Sequence, residues 1–140
     1  MDLVRDKVVS EIVARLSQTK GSVRVEGTWG SFARLLTTHI SKTLRRPVLH
    51  LCAHIDDADR AYDDLKTFGA ERVELLPAWE GEEDLADATD ETRAERLRIV
   101  SILADSNGRF QDLVIAAPVQ ALCQPVPRPS ALRESALRVN

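Results

Sequence analysis

The sequence predicts an α/β domain in which a parallel sheet of about four strands carries helices on both faces, with one further helix in front. Three observations carry this prediction. The runs "VLHLCA" and "DLVIAA" are almost continuously apolar, as strands buried on both faces are. Between the apolar runs, apolar residues recur every three or four positions, the period of a helix with one buried side. Strands and helices also alternate at spacings suited to βαβ units.

Each element follows in order. Val4, Val8, Ile12 and Leu16, with Val9 and Val13 beside them, form a helical stripe that ends at Lys20-Gly21. "SVRVEG" then reads as a first short strand. Phe32, Leu36, Ile40 and Leu44 recur every four residues and predict a second helix, which Pro47 stops. "VLHLCA" is the second strand. "HIDDADRAYDDLKTFG" is a helix with acidic residues at its start, an inner face of Ala58, Ala61, Tyr62, Leu65 and Phe68, and Gly69 as its stop. "RVELLP" is the third strand, and the acidic, turn-rich "AWEGEEDLADATDE" reads as a surface loop. Thr92 and Glu95 fit a capping box for a fourth helix, "RAERLRIVSILADS". A turn at Asn107-Gly108 leads to the fourth strand, "DLVIAA", and Pro118 opens a short helix. The proline-rich, then polar stretch 125–140 reads as a linker.

Composition narrows the function. A chain of 140 residues, 44% hydrophobic and 29% charged, has the make-up of one globular domain. Its formal net charge of −3 argues against a chain that holds nucleic acid mainly by its own charge. No apolar run approaches the roughly 18 residues of a membrane span, and no signal-peptide pattern opens the chain. A cytoplasmic location and no membrane partner are therefore expected. Cys52 and Cys123 sit in apolar segments without metal-site spacing, so both are expected to be buried, reduced thiols.

The stretch "VEGTWGSFARLL" has the outline of a phosphate loop: a strand, a glycine-containing turn and a helix. In a working loop, backbone N–H groups close on the phosphates, a lysine reaches the β/γ oxygens and a hydroxyl holds magnesium. Here Gly27, Gly30 and Ser31 keep the start of the pattern. Phe32 stands where the second glycine belongs, Ala33 where the lysine belongs, and Arg34 where the hydroxyl belongs. Arg34 is expected on the solvent side of its helix. The loop is thus read as vestigial, with no catalytic residue, cofactor or metal assigned to it.

Other residues give weaker signals. His39, His50 and His54 lack metal-site spacing on a common helix. Glu80, Glu82, Glu83 and Asp84 form an acidic run without a base or nucleophile beside it. Ser31 lacks the G-x-S-x-G elbow of a hydrolase. Trp29 and Trp79 could anchor a contact, but core filling is the expectation for both.

Five blocks, "GTWGSFARLL", "VLHLCAHIDDADRAYDDLKTF", "LLPAWE", "AERLRIVSIL" and "LVIAAPVQALCQPVP", stand in the order seen at the N-terminus of bacterial transcription-repair coupling factors (Mfd). That region is similar to the first domain of the excision-repair subunit UvrB. The resemblance covers residues 20–130 or so, nearly the whole predicted fold. It implies a degenerate P-loop, helicase-like fold of the UvrB domain 1a type. The implied organisation is an N-terminal helix over 1–20, the degenerate helicase-like domain over 21–124, and a linker over 125–140 into a following domain.

Against the UvrB-type pattern G-x-x-G-x-G-K-[ST], Gly27 and Gly30 match while Phe32, Ala33 and Arg34 depart, and the family's N-terminal module is such a degenerate copy. The second block lacks the basic residues of the helicase segment it resembles, so direct DNA contact is not expected of it. In the family, the full-length protein is an ATP-dependent DNA translocase that uses ATP and magnesium in a C-terminal motor. It binds DNA, displaces stalled RNA polymerase and recruits UvrA for nucleotide excision repair. The resemblance therefore implies a non-catalytic scaffold and regulatory module whose immediate partners are the remaining domains of its own chain.

The alternative is a stand-alone α/β nucleotide- or anion-binding domain, or a small enzyme, working at the strand carboxyl ends around Gly30, His54 and Trp79. A third reading, a nucleic-acid-binding repair factor, predicts retention of nucleic acid at low salt, which the acidic balance opposes.

Overall fold

The computed structural model describes residues 3–18, 20–79, 89–105, 110–128 and 130–132. They form a 3-10 turn at Leu3–Arg5, then α1 (Lys7–Gln18), α2 (Phe32–Leu44), β1 (Val48–Cys52) and α3 (Ile55–Thr67). β2 (Arg72–Leu75), α4 (Asp90–Asp105), β3 (Leu113–Pro118) and α5 (Val119–Cys123) follow. The chain is therefore α/β, with a parallel sheet flanked by helices.

The most apolar run of the sequence takes the centre of that sheet. All six residues of β3 are buried, and β3 pairs in parallel with β1 on one side and β2 on the other. The register sets Val48 opposite Val114 and Cys52 opposite Pro118, and on the other side Arg72 opposite Leu113. Alternate β3 residues feed two separate cores. Val114 and Ala116 pack with Cys52 and with Ala58, Ala61 and Leu65 of α3. Leu113, Ile115 and Ala117 pack with Leu76, with Ile99 of α4 and with Ala121 of α5.

This division follows from the order β1-β3-β2. The chain passes from β1 over β3 to β2 through α3, then steps back to β3 through α4. Parallel crossovers are right-handed, so reversing the direction of travel puts the second helix on the opposite face.

The expectation of four strands is corrected to three among the described residues. Residues 22–27 pair with no strand, although their sequence alternates as a strand should. Only Val23 and Val25 of this stretch are part-buried, while Arg24 and Glu26 are exposed and pair with each other at 2.8 Å. Two part-buried valines remove too little apolar surface from water to hold a further strand on the sheet. Val25 packs instead on the cluster that joins α1 to α2.

The first helix is also displaced. Asp6 Oδ1 accepts from the N–H groups of Val8 and Val9, which makes Asp6 the cap of α1. Val9 and Ile12 are buried against Leu3 and Leu36, whereas Val4 and Val8, read as part of the stripe, are exposed. In α4 the cap lies earlier than the proposed Thr92–Glu95 box. Thr89 Oγ1 accepts from the Thr92 N–H at 3.2 Å, and Glu95 pairs with Arg98 at 2.6 Å.

Of the acidic loop, residues 80–88 lie outside the described residues. So do the Asn107-Gly108 turn and, in the proposed linker, residues 129 and 133–140. Among the described residues no helix is long and apolar enough to cross a membrane.

Candidate functional site

The stretch read as a phosphate loop consists of a turn and a helix start, without the preceding strand. Gly27 and Gly30 both have positive φ, +77° and +54°. No atom lies within 4 Å of where a Cβ would stand on Gly30, so its glycine serves the backbone conformation and not a close approach. The turn closes with the Phe32 N–H donating to the Trp29 carbonyl at 3.1 Å, and the Arg34 N–H donating to the Ser31 carbonyl at 3.1 Å. Two amides at the start of α2, which a phosphate-binding helix presents outward, are thus engaged by the chain itself.

The three departures from the phosphate-loop pattern have different fates. Phe32 is part-buried and packs on the cluster of Leu3, Val9, Ile12 and Leu36, as its place at the head of the apolar stripe predicts. Ala33 lends its carbonyl to the Thr37 hydroxyl at 2.9 Å. Arg34 does not face solvent as expected. Its guanidinium turns inward and pairs with Asp64 of α3 at 2.7 Å, with 18% of the arginine side chain and 30% of the aspartate side chain exposed.

A small polar seam grows around that pair. Arg34, and after it the Ser31 hydroxyl, hold the Asp64 carboxyl below the usual carboxylate range by hydrogen bonding. On β1, His50 Nδ1 lies 3.1 Å from Thr37 Oγ1. The hydroxyl hydrogen of Thr37 goes to the Ala33 carbonyl, so the arrangement that satisfies both contacts has His50 Nδ1–H as donor. Burial, and then the positive charge of Arg34, push the His50 pKa down, which keeps the ring neutral near pH 7. Burial raises the Cys52 pKa, so this thiol on the next inward position of β1 stays protonated.

Chemically the seam is a closed set. Its arginine is neutralised by a carboxylate, its histidine is held as a neutral donor, and its thiol is unactivated. What it does is tie the first two turns of α2 to the last turn of α3 and to β1.

The sequence places Ser31 and Arg34 here but omits Asp64 and Thr37. Asp64 stands 30 residues from Arg34 in a run of helix carboxylates that all look solvated, so no spacing signals it. The structure does not bring together Gly30, His54 and Trp79. His54 caps α3 beyond β1 and is exposed, whereas Trp79 follows β2, at the other edge of the sheet.

The two tryptophans and the two cysteines divide. Trp79 is buried, as expected, with the Arg96 guanidinium 4.8 Å from the centre of its ring. Trp29 is 85% exposed, because the turn it opens projects beyond the α1–α2 cluster, and the expectation of core filling fails there. Cys52 is buried, but Cys123 is exposed, because α5 turns its buried side to the sheet through Ala121. Among the described residues no three His, Cys, Asp or Glu side chains gather as a metal site would. In comparisons with protein families, curated proteins and solved structures, the chain matches no family model, no curated protein and no solved structure.

Proposed function

We propose that this chain is the N-terminal, non-catalytic module of a transcription-repair coupling factor, a UvrB-like domain whose phosphate loop has exchanged ligand binding for internal packing. The observation that carries the proposal is the Arg34–Asp64 pair, together with Phe32 packed into the α1–α2 cluster. The positions that would hold a nucleotide in a working loop are engaged with the chain's own carboxylate, carbonyls and core. The five ordered blocks of the sequence support the family reading, in which the ATP-driven step belongs to a separate motor, and these 140 residues hold no GK[ST] loop. The module then serves as scaffold and regulatory surface in a protein that displaces stalled RNA polymerase and recruits UvrA.

Two measurements test separate halves of this proposal. Calorimetric titration with magnesium-ATP up to millimolar concentration is expected to give no saturable heat. Saturable binding would favour the stand-alone nucleotide-binding domain. Sequencing the gene beyond the codon for Asn140 is expected to reveal polymerase-binding and translocase domains in the same frame, and a stop codon there would remove the family assignment.

A further inference from the structure

A cleft of about 350 Å³ lies between α4 and residues 125–127, away from the stretch read as a phosphate loop. Trp79, Leu97, Val100, Pro125, Val126 and Pro127 line it with apolar surface, and Arg93 and Arg96 add two guanidinium groups. Its size falls within the range of small-molecule sites, and so does its character, largely apolar with a few fixed polar groups.

The cleft is built before any ligand arrives. The Gln124 side chain pairs with both backbone groups of Trp79, accepting from its N–H at 3.2 Å and donating to its carbonyl at 2.9 Å. Arg96 donates to the carbonyls of Pro77 at 2.6 Å and Ala121 at 3.1 Å, with longer contacts to those of Gln124 and Pro125. The two side chains fasten the end of β2 to the segment that forms the opposite wall. A wall already fixed takes little further ordering on binding.

Its electrostatics select the ligand. Arg96 is 4% exposed, and its partners are neutral carbonyls and the Trp79 ring, with no carboxylate among the described residues. Among the described residues its positive charge is therefore buried without a counter-charge at an apolar cleft, where low polarisability strengthens its field. Arg93, which pairs with Asp90 at 3.6 Å, brings a second guanidinium to the lining. The Trp79 indole N–H, buried without an acceptor, leaves the same wall with a surplus of donors. A flat apolar body suits the tryptophan, leucine, valine and proline surfaces, and an anionic group suits the guanidiniums.

We propose that this cleft binds a small aromatic monoanion, its ring among Trp79, Leu97 and Val126 and its carboxylate or sulfonate toward Arg93 and Arg96.

The probe is 8-anilinonaphthalene-1-sulfonate, titrated into the whole 140-residue chain and followed by its fluorescence, with the uncharged N-phenyl-1-naphthylamine as comparator. Saturable binding of one sulfonate per folded chain is expected, with the neutral comparator about tenfold weaker or more, the effect of one lost charge-assisted contact. Leu97→Glu is expected to weaken sulfonate binding by about tenfold or more, and Arg93→Gln to weaken it several-fold. Leu97 is 43% exposed, so its replacement leaves the core intact, and circular dichroism checks each variant for folding. Leu49→Lys, in an exposed leucine of β1, is the control and should not weaken binding. Equal affinity for the neutral comparator, equal losses in Leu97→Glu and Leu49→Lys, or no saturable binding by the wild type would each overturn the proposal.

Discussion

Arg34 and His50 show how single side chains on one polar seam set a pH response. The folded chain holds the Asp64 pKa low through Arg34 and Ser31, so this contribution is complete above the unfolded value of about 3.9. It is lost as pH falls from there through the folded value. His50 behaves in the same direction at higher pH. Burial and Arg34 lower its folded pKa, so the unfolded chain takes up the proton first. Its contribution is full above about pH 6.5 and is lost as pH falls below that toward the folded value. Urea midpoints are therefore expected to hold level between about pH 7 and 8 and to begin falling below about 6.5. In His50→Gln the fall should be displaced to the carboxylate range, and an unchanged acid limb in that variant would exclude His50 as its source.

At the scale of elements, caps and clasps decide where helices begin and how they dock. Thr89, not Thr92, receives the first free amide of α4, so Thr89→Ala is expected to lower stability by about 1 kcal/mol. Thr92→Ala, which keeps that cap, should lose less than half as much in the same urea experiment. Further along α4, Arg98 reaches Glu74 of β2 and Glu95 of its own helix and holds both carboxyls below their usual range. Glu74 is part-buried at the sheet edge, and Arg72 approaches it as well at 3.3 Å. A carboxylate in a strand next to a helix is tolerated there because two guanidiniums meet it.

The whole molecule is organised by small residues at its centre. Ala58 and Ala61 of α3 and Ala116 of β3 are almost wholly enclosed, which lets α3 lie close on the sheet. Ala61→Leu is therefore expected to lower stability by about 1–3 kcal/mol through overpacking, whereas Ala53→Leu at an exposed position should change it little. Thermal unfolding of the two variants side by side checks this, and equal effects would mean that α3 has room to retreat. The second face of the sheet is covered unevenly. α4 and α5 close over β3, while Leu49 and Leu51 of β1 remain about half exposed.

By itself the sequence determined the α/β class, the buried strand β3, the helices between the strands and the departure from the phosphate-loop pattern at Phe32, Ala33 and Arg34. These rest on periodicity, apolar runs and residue chemistry, which are local properties of a chain. Tertiary structure decided the rest. β1, read as buried too, leaves Leu49 and Leu51 half exposed. Residues 22–27 carry a strand's alternation, yet strand status needs a partner, and Val25 found one in the α1–α2 cluster instead. Arg34 carries no mark of its direction until α3 brings Asp64 to it from 30 positions away. The same holds for Arg96, which reads as one charge among many on a helix. Only the meeting of Pro77, Trp79, Ala121 and Gln124 turns it into a buried cation at the wall of a cleft. Burial and pairing are relations between distant segments, and a local pattern does not contain them.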